Sequence, residues 1–480
     1  MATSSGLVVG SPPHPGTASV QSASRPAAAR PIRVPLPRRW PVRASDIIAV
    51  LVANGALIVA MWIRHGGASA LTSPGAILIG AGQITALLGT YLALIQLVLM
   101  SRSPWLDQTF GMDRLAWAHR WLGFGTVWLL AGHVVFTTFG WSMTNGRSLL
   151  DETTTLLGTY PFVLMATASM ACFAAVAITS VRAARRRLSY ETWYGIHLYA
   201  YLGIALGFAH QLVVGSDFIN DPVARIYWTS LLVIAVAMVL VFRFGQPIRT
   251  TLRHRPRIGS VVTEAPGVVS VYVTGRDLDR LAARSGQYFN LRLLTRNDWW
   301  RAHPFSLSAA PNGRSLRFTI KELGDWTARL QALKPGTRVA LEGPYGTLTG
   351  ARRTRQRVLL VAGGIGITPL RALLESLPGL PGDLTLIYRA SREADLVFRE
   401  ELDALAAHRG AAVHYLVGRR GTRSMPRDPL DADGLRALVP DVRNRDVYLC
   451  GPTPLMESVR ASLKALAVPA SQVHLERFAY

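Results

Sequence analysis

AWAHRWLGFGTVWLLAGHVVFTTFG (116–140) and WYGIHLYAYLGIALGFAHQLVV (193–214) are the two stretches whose reading decides the fold. Each is apolar over at least the roughly 20 residues that a helix needs to cross a bilayer. Each also carries two histidines: His119 and His133, 14 residues apart, and His197 and His210, 13 apart. A ligating side chain inside hydrocarbon is costly and is read first as functional. At about 1.5 Å of rise per residue, each couple separates its members by about 20 Å. Two helices so marked can hold two flat cofactors, one towards each side of a membrane roughly 30 Å thick. Two bis-histidine haems in a transmembrane electron wire have that geometry; interfacial or packing histidines are the plainer alternative. With about 3.6 residues per turn, fourteen steps return close to the starting face and thirteen do not. The second stretch therefore calls for a kink, a π-bulge or a different approach angle, which its glycines would permit.

Around these stretches the chain divides in two. Residues about 45–245 are dominated by Leu, Ala, Val, Ile and aromatics and give six spans, at about 46–63, 76–100, 116–140, 156–181, 193–214 and 226–244. Residues 1–44 are basic, rich in Pro, Ala and Ser, and contain no acid, so they are expected to be disordered. A signal peptide ending at Ala68-Ser69-Ala70 is the rival reading, but the apolar run before it fits better as a first retained span. Arg182, Arg185, Arg186 and Arg187 follow span four. Arg243, Arg249, Arg253, Arg255 and Arg257 follow span six, while the opposite connectors hold one arginine each (Arg64, Arg147, Arg225). That bias places both termini in the cytoplasm of a multi-pass cell-membrane protein, as an even number of spans requires. The net charge of +23 is thereby explained without nucleic acid. Two cysteines, Cys172 and Cys450, exclude a cysteine-ligated iron–sulfur cluster, which needs about four. They also leave no disulfide framework.

Beyond residue 255 the pattern changes to short alternating runs with Gly and Pro turns, such as Ser270-Val271-Tyr272-Val273 and Leu316-Arg317-Phe318-Thr319. It predicts a small antiparallel barrel to about residue 350. From 356, apolar strands at 358–361, 384–388, 413–417 and 447–450 alternate with helical stretches, the signature of a doubly wound parallel sheet. The fold class expected is a multi-domain membrane protein. A six-helix transmembrane bundle (45–245) leads into an antiparallel flavin-binding β-barrel (253–350) and an α/β doubly wound nucleotide-binding domain (355–480).

Six spans, histidine couples on the third and fifth, and a dehydrogenase-like half behind the sixth resemble the ferric reductase/NADPH oxidase superfamily over nearly everything but residues 1–44. The resemblance implies FAD, NADPH (NADH possible) and two b-type haems. The haem ligands would pair as His119 with His197 and His133 with His210, helped by nearby small residues (Gly123, Gly125, Gly132, Gly195, Gly203, Gly207) that admit a flat ring. His303-Pro304-Phe305-Ser306 resembles the family's flavin motif, with histidine where the wider group has arginine. Phe305 would lie against the isoalloxazine and Ser306 would bond its edge. Gly324-Asp325-Trp326-Thr327 opens a helix whose amides suit the FAD diphosphate, with Gly324 and Thr327 as its markers. Gly363, Gly364, Gly366 and Thr368 form the glycine-rich nicotinamide-domain turn. Cys450-Gly451-Pro452 would lie beside the nicotinamide, with Cys450 a catalytic residue. Arg389 and Arg392 would pair with a 2′-phosphate. A C-terminal aromatic usually covers the flavin in relatives; Phe478 aligns best and Tyr480 is the alternative.

The function expected is transfer of electrons from cytoplasmic NADPH through FAD and the two haems to an acceptor on the outer side. Dioxygen or a ferric chelate is the acceptor expected; a quinone or periplasmic partner also fits. A membrane-anchored NAD(P)H flavoprotein reductase serving a quinone or protein partner is the first rival. A transporter with a regulatory nucleotide domain is the second. Membrane lipid is an expected partner, nucleic acid is not, and the oligomeric state is open.

Overall fold

The computed structural model describes residues 42–418 and 428–476. Helices α1 (Ala44–Arg64) and α2 (Pro74–Leu99) are followed by a short α3 (Pro104–Phe110) and the long α4 (Met112–Asn145). Then come α5 (Leu149–Thr159), α6 (Val163–Ser180), a single turn α7 (Arg182–Arg185) and α8 (Tyr190–Val214). After the turn α9 (Ser216–Ile219), α10 (Pro222–Met238) runs through a π-helical segment, Val239–Gly245, into α11 (Gln246–His254). Among the described residues, α1, α2, α4, α6, α8 and the α10–α11 run are long and apolar enough to cross a membrane. Their starts are written locally. Ser73, Ser189 and Asp221 each accept a backbone N–H of the following turn, and Pro74 and Pro222 occupy first-turn positions where a missing N–H costs nothing.

Two expectations change here. The fourth span starts at Val163, not near 156, because Pro161 holds Tyr160 extended (φ −89°, ψ 130°) and Phe162 turns left-handed (φ 64°). The residues before that break form α5 instead. The fifth span is one unbroken α-helix; the π-helical segment lies in the sixth.

Within the bundle α4 packs mainly on α2, and α8 mainly on α6. The α2–α4 contact is close because small residues face it. A Cβ on Gly82 would fall 2.4 Å from Thr137 Oγ1, and one on Gly140 would fall 2.9 Å from the Gly75 carbonyl oxygen. On the other pair, Ser169 Oγ donates to the Gly203 carbonyl at 2.6 Å.

Strands β1 (Arg257–Ala265), β2 (Val268–Thr274), β3 (Tyr288–Leu293), β4 (His303–Ser306), β5 (Ser315–Lys321) and β6 (Val339–Tyr345) make two antiparallel three-stranded sheets, β1-β2-β5 and β4-β3-β6. Bridges between Leu307 and Phe318 and between Arg257 and Arg338 join them into a barrel. Its core includes Phe289 and Phe318, edge to face at 6.0 Å. A one-turn helix α12 (Asp325–Ala328) crosses one end.

The last unit is a parallel sheet ordered β11-β10-β7-β8-β9, from β7 (Arg357–Gly363), β8 (Leu384–Ala390), β9 (Ala412–Val417), β10 (Arg445–Cys450) and β11 (Val473–Glu476). Helices α13 (Ile367–Ser376) and α14 (Arg399–Arg409) follow β7 and β8, and α15 (Ala432–Leu438) and α16 (Thr453–Ala465) flank β10. Each sheet face carries its own apolar core. The order reverses between β7 and β10, so the crevice at their carboxyl ends is where an open α/β sheet binds ligand. Barrel and sheet are tied by buried Arg317 on β5, which meets Glu264 at 3.0 Å and Glu401 of α14 at 2.8 Å.

Candidate functional site

His119 and His197 each lie seven residues past the start of their helix (112 + 7 and 190 + 7). That matched depth brings their ring centroids to 5.9 Å, with planes 62° apart. Metal–imidazole bonds of about 2 Å would put two trans imidazoles on one iron with centroids on the order of 6 Å apart. The observed spacing fits. Nδ1 of His119, His197 and His210 is buried without a hydrogen-bond partner, a condition that buried polar atoms rarely keep. His133 Nδ1 lies 2.9 Å from the Gly82 carbonyl oxygen. Donating there leaves Nε2 as the free lone pair, and such a carbonyl contact is what orients a metal-bound histidine. Among the described residues no group of three or more His, Cys, Asp or Glu side chains could hold a metal ion.

The glycines play a different part from the one expected. Gly123 and Gly125 face Gln96 and Leu92 of α2, Gly132 faces Thr85 and its own helix's Phe136, and Gly203 and Gly207 face Cys172, Phe173 and Ser169 of α6. They bring helices together; only Gly195 has open space at its Cβ position. Trp193 packs on His197 with centroids 5.0 Å apart and itself carries the Arg185 guanidinium at 4.8 Å.

At the barrel, His303 and Phe305 of β4 both meet a ring the sequence reading passed over. Trp326 lies 4.0 Å from His303 and stacks on Phe305 at 5.9 Å with planes 15° apart. Ser306 Oγ, His303 Nε2 and Trp326 Nε1 are all buried and unpartnered. Unpartnered buried polar atoms on His303 and Trp326, whose rings lie 4.0 Å apart, and on Ser306 of the same strand fit a polar ring edge taken up there. Pro304 is exposed on the same strand. Burial, then the Arg301 charge, holds His303 below the ordinary histidine range. The expected diphosphate helix is only one turn long, and the amides of Leu323 and Gly324 both donate to Thr327 Oγ1 at 2.9 and 3.1 Å. Those two amides are already satisfied by the Thr327 side chain.

The nicotinamide-domain turn splits in two. Gly363, Gly364, Arg389 and Pro452 line a cleft of about 620 Å³, together with Lys321, Asp395 and residues of the β1–β2 turn. Gly366, Thr368 and Gly451 lie beneath it. A Cβ on Gly366 would fall 2.3 Å from the Cys450 carbonyl oxygen, one on Gly451 would fall 3.1 Å from Gly363 Cα, and Thr368 Oγ1 donates to the Ile365 carbonyl. The close approach these glycines permit is between two protein loops. Arg389 Nη1 donates to the carbonyls of Ala390 and Leu416. Arg392 is held by Asp395 through two hydrogen bonds of 3.1 and 2.9 Å, so the guanidinium expected for a 2′-phosphate already has an acid on it. Cys450 is fully buried at the end of β10, and burial, then Glu476, pushes its thiol well above the usual value. Phe478 and Tyr480 lie outside the described residues.

Asp107 and Glu476 gave no sequence signal. Asp107 Oδ2 accepts the Gly346 N–H at 2.7 Å, so α3, between the second and third spans, is docked on the end of β6. Arg102 with Glu342, and Arg352 with the Gln108 carbonyl, complete the junction. Burial, with Asp107 nearby, holds the Glu476 carboxyl well above the carboxylate range.

Three family models match in chain order. They are a ferric reductase like transmembrane component over residues 85–208, an FAD-binding domain over 267–349 and an oxidoreductase NAD-binding domain over 360–461. Among curated proteins, the ferredoxin reductase component of 3-ketosteroid-9-alpha-monooxygenase from Mycobacterium tuberculosis is 32% identical over 207 residues, 42% of this chain and 56% of that protein. A flavohemoprotein of Pseudomonas aeruginosa is 31% identical over 239 residues, 47% of this chain and 58% of that protein. The chain thus spans little more than half the length of these relatives. Among solved structures, the flavohem-like FAD/NAD binding domain of nitric oxide dioxygenase from Vibrio cholerae overlaps 47% of this chain and 99% of its own. It does so with a TM-score of 0.38 and 24% identity. A ferredoxin NADP+ reductase from Neisseria gonorrhoeae overlaps 46% and 97%, with a TM-score of 0.40 and 16% identity.

Proposed function

The chain has the ferric reductase/NADPH oxidase-type architecture, and from that premise we propose that it is an NAD(P)H-dependent flavohaem oxidoreductase. It moves electrons from NAD(P)H across the membrane to dioxygen or a ferric chelate on the far side. The observation that carries this reading is the pair His119 and His197, 5.9 Å apart on helices that begin on the dehydrogenase side. Bound to this chain, FAD and two b-type haems would supply the chemistry, taking up a hydride's two electrons and releasing them singly.

The protein's part is to hold and orient. His119 with His197 and His133 with His210 are the haem ligands, and the Gly82 carbonyl fixes the His133 tautomer. Ser306 Oγ meets the polar edge of the flavin, with His303, Phe305 and Trp326 as its aromatic surroundings. Gly363, Gly364, Arg389 and Pro452 receive the nicotinamide nucleotide in the cleft, and Cys450 stands beneath as a neutral thiol that packs and does not attack. No general base is needed from this chain; the two histidine pairs would each hold a haem, which would supply one-electron transfer. Arginines after spans four and six put the dehydrogenase in the cytoplasm.

Detergent-purified protein, expressed with haem supplied in culture, should show a b-type Soret band that shifts when NADPH is added. A flavin-only spectrum would overturn the reading in favour of a membrane-anchored flavoprotein reductase. His119→Leu and His133→Leu should each remove about one haem equivalent by pyridine haemochrome assay. Unchanged haem content in both would reject the ligand assignment. Parallel assays of superoxide formation and ferric-chelate reduction then separate the two acceptors.

A further inference from the structure

The barrel carries one apolar surface that its own packing leaves bare. Residues 295–301, between β3 and β4, read Thr-Arg-Asn-Asp-Trp-Trp-Arg, and Trp299 and Trp300 are 60% and 46% exposed. The loop is held, not frayed. Asp298 receives Thr295 Oγ1 at 3.2 Å and Arg329 Nη2 at 3.0 Å, and Arg292 Nη1 donates to the Trp299 carbonyl at 3.2 Å. The Arg301 guanidinium lies 4.4 Å over the Trp300 ring and pairs with Glu191 at 4.0 Å. Holding two indoles rigidly in water is costly for a soluble surface, and such patches mark a partner.

The location says which partner. Glu191 is in the first turn of α8, where the fifth span enters its apolar run. The loop therefore sits at the level where lipid headgroups begin. Exposed Trp117 occupies the first turns of α4, the helix whose His119 pairs with His197 of α8, so the loop tryptophans extend an aromatic belt. The exposed side chains include Arg296 in the loop, and Arg182, Arg186 and Arg187 in the connector leading to α8. The acids nearby, Asp298 and Glu191, are matched by Arg329 and Arg301. An aromatic pair ringed by arginines at headgroup depth is complementary to an anionic bilayer surface.

We propose that residues 295–301 are a membrane anchor of the flavin barrel, with Trp299 and Trp300 seated among the headgroups of the dehydrogenase-side leaflet and Arg296 and the 182–187 arginines on anionic lipid. The anchor gives the barrel a second attachment to the bilayer beside α3, independent of whether haem is bound.

The test uses the full chain in nanodiscs, with Cys172→Ala and a nitroxide on Asn297→Cys; Cys450 is buried and stays unlabelled. With phosphatidylglycerol mixed into phosphatidylcholine, the label should become accessible to oxygen and shielded from an aqueous nickel chelate. In phosphatidylcholine alone that shielding should weaken, and Trp299→Ser with Trp300→Ser should abolish it while flavin content stays unchanged. A label as open to the chelate in phosphatidylglycerol discs as in detergent would overturn the proposal. So would shielding that persists in detergent, which would mean a protein partner or a second copy covers the loop.

Discussion

Single side chains carry two of the expectations that can be checked most directly. His303 is held below the ordinary histidine range by burial and by Arg301. Between that lowered value and about 6.5, the unfolded chain binds a proton that the folded chain does not. Folding stability contributed at this site is therefore present above about pH 6.5 and declines as the pH falls through the window. Thermal melts from pH 7.5 down to pH 5 should show a steeper loss for the native protein than for His303→Gln; parallel curves would refute the assignment. Asp395 decides a second matter. It clamps Arg392 through two hydrogen bonds and lines the cleft, and a carboxylate there both occupies the guanidinium and repels a 2′-phosphate. Asp395→Asn should lower KM for NADPH relative to NADH by about tenfold, the scale of removing one like-charge contact. An unchanged ratio would mean the 2′-phosphate binds elsewhere. The burial of His303 against Trp326 depends on which residue the fold sets opposite, whereas Arg392 and Asp395 are three residues apart and pair within one turn.

At the scale of elements, the joint between the β7–α13 turn and the end of β10 is the most demanding piece of backbone. Gly366 lies so close to the Cys450 carbonyl that any Cβ would overlap it, and both sides of the contact are backbone that cannot swing away. Gly366→Ala should cost about 1–3 kcal/mol, as overpacking of a tight core does, and should lower the unfolding temperature of the full chain. Retention of the native midpoint would show that the two loops can part. The glycine-rich turn was legible in the sequence because strand, glycines and helix are contiguous; its partner was not, because Cys450 is about 85 residues further on. The fourth span teaches the same lesson locally. Its hydropathy runs on through Pro161, but the ring cannot continue a helix, and the backbone turns there.

The whole molecule is organised around a short connector. Asp107 of α3 accepts the Gly346 amide, and Arg102 and Arg352 bond the barrel and its neighbour across the same seam. Burial pushes the Asp107 carboxyl above its usual range, so the contact is held by enclosure and the single amide. Asp107→Ala should leave flavin reduction by NAD(P)H intact and slow the following haem reduction severalfold in stopped-flow absorbance, because the barrel loses its amide contact with α3. Equal slowing of both phases would instead point to a collapsed nicotinamide domain.

By itself the sequence determined the number and kind of the parts. Six apolar runs, alternating strands and then strand–helix alternation are all periodic within ten to thirty residues, and the histidine couples declare themselves because polar rings stand out against hydrocarbon. Only the tertiary structure decided what faces what. It set His119 at the same depth as His197, brought Trp326 against both His303 and Phe305, gave most of the marked glycines to helix packing, and joined Asp107 to the Gly346 amide. The reason is physical: burial of an apolar run depends on the run alone, whereas an ion pair, a ring stack or a backbone contact depends on two segments whose relative placement no local pattern records.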